Sequence, residues 1–188
     1  MKEDSRKVRY TRKVIREAYF ELLKQKPVAQ MTIGELCGIA DIHRGTFYQH
    51  YHDIYDLREK IMEEMLARFN EMFPDTGSEY PDIAEMTVMA VYEERDIFCA
   101  ILGPNGSTDV MNRFIESCRP RAYSRFRKIG IEEKDFRMVF TFYTSGIICL
   151  IRDWSMNGYR EKPEEVIATI RKLTRMGIGG FTKADDEE

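Results

Sequence analysis

The segment HRGTFYQHYHD, residues 43–53, holds all three histidines of the chain, with an arginine, a threonine, a glutamine and three aromatic rings. Two kinds of chemistry use such a mixture: metal ligation and nucleic-acid contact. His43 and His50 stand seven positions apart, about 10 Å along a helix, too far for one ion to bridge. His50 and His52 are two apart and point to different sides of a helix. No cysteine or carboxylate is placed to complete four ligands. Neither a metal nor a cofactor is expected. Nucleic-acid contact fits better. Arg44 and Gln49 suit bidentate bonds to guanine and adenine edges. Thr46 offers a hydroxyl and a methyl, and Gly45 allows close backbone approach. Tyr48 and His50 suit phosphate oxygens and would fix register.

Such residues need elements that aim them. Before them, Val8, Thr11, Ile15, Ala18 and Leu22 recur at three- and four-residue steps, one face of an amphipathic helix over residues 6–26. Pro27 ends it. Thr32 with Glu35 three residues later is a capping-box signature, and Ile33, Leu36, Cys37 and Ala40 form the stripe of a short helix. A tight turn at residues 40–42 leads to a second short helix, about 44–50, with His43 or Asp41 as its cap. Ile42 and Phe47 face inward there. Two short helices across a tight turn, flanked by longer ones, form a helix-turn-helix, whose second helix enters the major groove. A longer helix starts near Asp53 with Ile54, Leu57, Ile61, Met65 and Phe69 as its stripe.

Charge is distributed accordingly. Residues 1–60 hold 12 Lys+Arg against 9 Asp+Glu, and residues 61–188 hold 17 against 23. SRKVRYTRKVIR, near the start, has six basic residues and no acid. A basic head on an acidic body fits a nucleic-acid-binding protein. The 43% hydrophobic content supports a buried core and argues against disorder. The charged N-terminus is unlike a signal peptide, and IICLI, the longest aliphatic and cysteine run, is far short of a membrane span. A cytoplasmic protein with no membrane partner is expected. Cys37, Cys99, Cys118 and Cys149 contain no C-x-x-C pair and read as reduced and mostly buried.

Residues 32–57, TIGELCGIADIHRGTFYQHYHDIYDL, closely resemble the DNA-binding signature of TetR-family transcriptional regulators. The resemblance covers about residues 8–60. It implies that Thr32 caps the second helix and contacts phosphate, that Thr46 is the recognition-helix threonine, that Tyr48 and His50 touch the DNA backbone, and that Tyr51 packs beneath. Cys37 and Gly38 stand at positions usually small or alanine, and Ile54 stands where the family usually carries a phosphate-contacting lysine. The implied protein is a homodimer reading a palindrome in double-stranded DNA, with Arg6, Lys7, Arg9 and Arg12 adding phosphate or minor-groove contacts. Ligand binding would change the separation of the two heads and release DNA, which is the behaviour of a repressor.

The remainder reads as helical, making the chain all-α: a helix-turn-helix head joined by a long helix to a C-terminal effector-binding and dimerisation domain. The expected boundaries are 1–52 for the head, 53–73 for the linking helix, 74–180 for the helical body and 181–188 for a frayed acidic tail. Helical groups are expected at 82–102, about 108–129, 134–157 and from Pro163 onward. In the most apolar of these, Phe136, Phe140, Tyr143, Ile147, Leu150 and Trp154 form a heptad seam, beside a second stripe of Val139, Phe142, Gly146 and Cys149. A helix apolar on two faces is buried on two faces, one against its own core and one against a second subunit. The dimer interface is assigned to Phe140, Tyr143, Ile147, Leu150 and Trp154 with Ile170 and Leu173 of the last helix. YTSGIICLIRDWSMNGYREKPEEV also resembles one branch of the family, in which these two helices pair across a two-fold axis as a four-helix bundle. Met86, Met89, Phe98, Phe114 and Tyr143 are candidates to line a pocket for an apolar or aromatic effector, although plain core packing is the favoured reading for any single one. The rival reading is a TetR-fold coactivator or adaptor working through protein contacts. No nucleophile set, H-E-x-x-H or phosphate loop supports an enzyme.

Overall fold

The computed structural model describes residues 6–72, 83–106 and 108–179. Among them are nine α-helices and no strand: α1 (Arg6–Gln25), α2 (Ile33–Ala40), α3 (Arg44–Tyr48), α4 (Ile54–Met72), α5 (Ile83–Glu93), α6 (Arg95–Leu102), α7 (Thr108–Lys128), α8 (Glu133–Met156) and α9 (Pro163–Gly179). A 3-10 turn, Val28–Gln30, follows Pro27. No helix among the described residues is long and apolar enough to cross a membrane. The break expected at residues 73–82 and the tail 181–188 lie outside the described residues.

The chain divides into two compact units, Met1–Asn70 with Asp96–Ser107, and Glu71–Arg95 with Thr108–Glu188. Residues 96–107, expected in the body, therefore group with the head. Their attachment is visible in buried Ile101 and Leu102 and in Asn105 Nδ2 donating to the Lys24 carbonyl at 3.4 Å. The group expected at 82–102 is two helices, interrupted at Glu94.

In the first unit the α1 stripe is buried as Thr11, Ile15, Ala18, Leu22 and Leu23. Phe47 and Leu57 complete that unit's interior, each fully shielded from solvent. Burial pushes the Tyr19 phenol up to about 12. In the second unit α7 packs on α8 through rings. Phe136 lies 4.9 Å from Tyr123 and 5.9 Å from Phe126, Phe140 stacks on Phe136, and the Arg119 guanidinium sits 4.8 Å over Phe140. Farther along α8, Trp154 stacks on Tyr92 of α5 at 5.8 Å and meets Tyr159 edge-on at 4.8 Å.

These contacts decide which face of α8 is which. Phe140, Trp154 and Ile170, expected at the dimer interface, are 1%, 3% and 3% exposed and belong to the protomer's own core. Tyr143, Ile147 and Leu150 are half-buried. The apolar surface that α8 leaves open runs two positions away, through Met138, Phe142, Gly146, Cys149 and Met156. Phe142 is 74% exposed, and Leu173 of α9, assigned from sequence to the dimer interface, is 61% exposed. Helix α8 carries two apolar faces, but α7 and α5 cover the face that periodicity had given to a partner, and the other is exposed in the protomer. Cys149 is exposed for the same reason, while Cys37 is buried and Cys99 and Cys118 are half-buried.

Candidate nucleic-acid interface

The helix-turn-helix is built by caps. At the start of α2 the Glu35 amide donates to Thr32 Oγ1 at 3.2 Å, and the Thr32 amide and hydroxyl donate to Glu35 Oε2 at 3.0 and 2.8 Å. Lys26 Nζ donates to the other carboxylate oxygen at 2.5 Å. The end of α1 is thereby tied to the start of α2. The capping box was legible from the four-residue signature. Lys26 was not, because it reaches Glu35 across the 3-10 turn.

Lys26 foremost, then the Thr32 donors, hold the Glu35 carboxyl down at about 2, against an ordinary value of 4.5. A carboxylate held this way stabilises the fold fully above the ordinary range, and the contribution disappears as pH falls toward 2. Glu35→Gln is therefore expected to lower head stability at neutral pH and to flatten the stability profile between pH 5 and pH 2. Urea titrations of both proteins across that range check it; superimposable profiles would show the pair to be idle.

Asp41 ends α2 in the left-handed conformation, with φ 51°. The Ile42 amide donates back to the Cys37 carbonyl at 3.1 Å, which closes the turn as a Schellman-type end. His43 occupies the N-cap of α3 without a side-chain cap bond. Helix α3 stops at Tyr48, two residues earlier than expected. Asp53 then caps α4, accepting from the Asp56 amide at 2.8 Å. Lys60 Nζ donates to Asp56 Oδ2 at 2.9 Å and to the His50 carbonyl at 3.2 Å, and lies 5.2 Å over the Tyr51 ring. Buried Tyr51 in turn contacts Phe47, with ring centroids 5.6 Å apart. The segment around α3 is thus held at both ends.

On this scaffold Arg44, Gly45, Tyr48 and Gln49 are exposed, while Thr46 and His50 are half-buried. Among the described residues, the side chains of Arg44, Thr46 and Gln49 and the Tyr48 hydroxyl have no hydrogen-bond or ion-pair partner. A Cβ at Gly45 would meet no atom within 4 Å, so backbone there is open to an approaching surface. Thr32 is differently placed, since its hydroxyl proton is already given to Glu35. Arg6, Lys7 and Arg9 are exposed in the first turns of α1, which opens without an acidic residue. A helix N-terminus favours acids, so these cations do not serve the helix itself. Ile54 is 5% exposed and packs into the head core, which removes that position from any phosphate contact.

Of the effector-pocket candidates, Met86, Met89, Phe114 and Tyr143 lie half-buried in the second unit and Phe98 half-buried in the first. Tyr143 packs with Phe126 against buried Ile131 and Val139, and its hydroxyl occupies the space where a side chain at Gly177 would begin.

A family model for the C-terminal region of TetR-type transcriptional regulators matches residues 78–176. This chain belongs to the TetR family of transcriptional regulators. The family consists of regulators, not enzymes. Solved structures share the regulator's fold over nearly its whole length. The fatty acid degradation regulator FadR from Bacillus halodurans aligns with a TM-score of 0.71 at 12% identity, covering 94% of this chain and 98% of its own. NalD, the secondary repressor of the MexAB-OprM efflux pump of Pseudomonas aeruginosa, gives 0.70 at 16%, covering 93% and 98%. The dihydroxyacetone kinase operon activator DhaS gives 0.60 at 16%, covering 92% and 98%. No curated protein matches the regulator by sequence.

Proposed function

We propose that the regulator is a ligand-responsive repressor that binds a palindromic operator as a homodimer and is released by a small effector. The observation that carries the DNA reading is the set of unengaged polar side chains on α3, held outward by a helix clamped at both ends. Arg44 and Gln49 read base edges, Thr46 and Tyr48 contact the backbone beside them, His50 adds to that register, and Thr32, whose amide and hydroxyl both donate to Glu35, serves as the cap of α2. Arg6, Lys7 and Arg9 supply cations to phosphate. The dimer rests on the open apolar face of α8 and α9, with Phe142, Leu173 and Met176 at its centre and Tyr143, Ile147 and Leu150 flanking it. The effector enters among Met86, Met89, Phe114 and Tyr143, whose softness and rings suit an apolar or aromatic molecule.

Selection of binding sites from random duplex DNA tests this. The wild type is expected to enrich a palindrome. If the dimer neutralises about six phosphates, log affinity falls against log salt with a slope of roughly −5. Thr46→Ala/Tyr48→Ala is expected to bind at least about a hundredfold more weakly, since two bonds to charged phosphate are lost in each of two subunits.

A second reading, a coactivator or adaptor acting through protein contacts, is favoured by burial of Ile54 where the family keeps a phosphate-binding cation. Among the relatives by fold, DhaS is named an operon activator. Folded dimer that enriches no sequence would support that reading and sink the first.

A further inference from the structure

The helix-turn-helix contains three glycines that lie within helices, Gly34 and Gly38 in α2 and Gly45 in α3. Alanine is the better helix former at such positions, so each glycine calls for a reason. A Cβ at Gly38 or Gly45 would meet no atom within 4 Å. At Gly34 it would lie 2.6 Å from Arg44 Nη2, 3.5 Å from Cζ and 3.7 Å from Nε. The guanidinium of the first residue of α3 therefore rests directly over the Gly34 backbone. It has no hydrogen-bond or ion-pair partner among the described residues. Its charge is also felt at Cys37, one turn along, where it opposes the upward push of burial on the thiol.

We infer that Gly34 is a positioning residue for Arg44: the missing side chain leaves a seat on α2 that presets the arm with which α3 reads a base. This rests on the DNA reading above. A free arginine loses considerable rotamer freedom when it grips a base edge, and a preset one loses less. The N-terminal residues of the second helix are the ones that meet base edges, so a small displacement of Arg44 alters what is read there. Gly34 touches no DNA itself in this account. It acts only through where the guanidinium lies.

The seat can be filled without harming the fold. An alanine methyl at 34 is too close to Nη2, and the atom that must yield is the far end of a flexible side chain. Gly34→Ala is thus expected to leave thermal stability equal or higher and to move Arg44. The experiment is site selection from random duplex DNA with wild type, Arg44→Ala, Gly34→Ala and Gly38→Ala. Arg44→Ala is expected to erase preference at one symmetry-related pair of positions. Gly34→Ala should weaken preference at that same pair on the order of tenfold, the scale of one bidentate contact, with other positions unchanged. Gly38→Ala, made in the same helix facing open space, should select the wild-type sequence. Retention of full preference by Gly34→Ala overturns the inference, as does Arg44→Ala leaving every position unchanged. A wild type that enriches nothing fails differently, because it overturns DNA reading itself.

Discussion

Replacing Phe142 by Glu is expected to leave the regulator monomeric at micromolar concentration, where the homodimer proposed above would persist in the wild type. Phe142 is 74% exposed in the protomer, beside Met138 at 60%, with Leu173 and Met176 of α9 at 61% and 73%. Burying a phenylalanine side chain contributes about 1.5–3 kcal/mol. Two-fold symmetry counts each substitution twice, so about 3–6 kcal/mol is removed before two carboxylates are brought together. Dissociation should then strengthen by roughly two to four powers of ten. Phe142 makes little contact within the fold, so the thermal transition of the isolated protomer should barely move. Sedimentation velocity reads the outcome. A variant that still sediments with the wild type would place the subunit contact elsewhere. Palindrome binding should fall with dimerisation, because the second head no longer benefits from the first.

Trp154→Ala is expected to be the most destabilising single change in the second unit, by about 3–5 kcal/mol. The indole is 3% exposed, stacks on Tyr92, meets Tyr159 edge-on, and donates from Nε1 to the Glu161 carbonyl at 3.0 Å. Tyr159 is tied in turn by its hydroxyl, which donates to the Arg95 carbonyl at 3.1 Å. Truncation leaves a cavity between α5 and α8 and strips the Glu161 carbonyl of its donor in the turn before α9. Trp154→Phe loses the N–H and the indole's second ring but keeps a ring against Tyr92 and Tyr159, so it should cost clearly less. Urea unfolding followed by circular dichroism compares the three proteins without using the tryptophan as reporter. A loss below about 1 kcal/mol for the alanine variant would mean that the aromatic cluster does not hold α5 to α8, contrary to the packing geometry.

The contrast between Phe142 and Trp154 marks a limit of periodicity. Both lie on apolar stripes of α8, and spacing alone distinguishes the stripes by angle only. The stripe through Phe136, Phe140 and Trp154 is richer in large rings, which made it an attractive seam for a partner. Those rings are instead matched by Tyr123 and Phe126 of α7 and Tyr92 of α5, residues with no sequence mark of their role. In the head the reverse holds. Thr32 with Glu35, Pro27 and the 40–42 turn are local devices, acting over four residues or fewer, and each forms the structure its spacing implies.

Sequence alone determined that this protein is all-helical with a helix-turn-helix near its start, because caps, turns and helical stripes are encoded by neighbours along the chain, and the TetR type was implied by the resemblance of residues 32–57 to that family's signature. It also showed which polar side chains gather on and just after α3. Only the tertiary structure decided which face of α8 remains open, that residues 96–107 group with the head, and that the Arg44 guanidinium rests on Gly34. Each of these depends on what a second element brings to the contact, and helical periodicity specifies direction around one axis but not the identity of the neighbour across it.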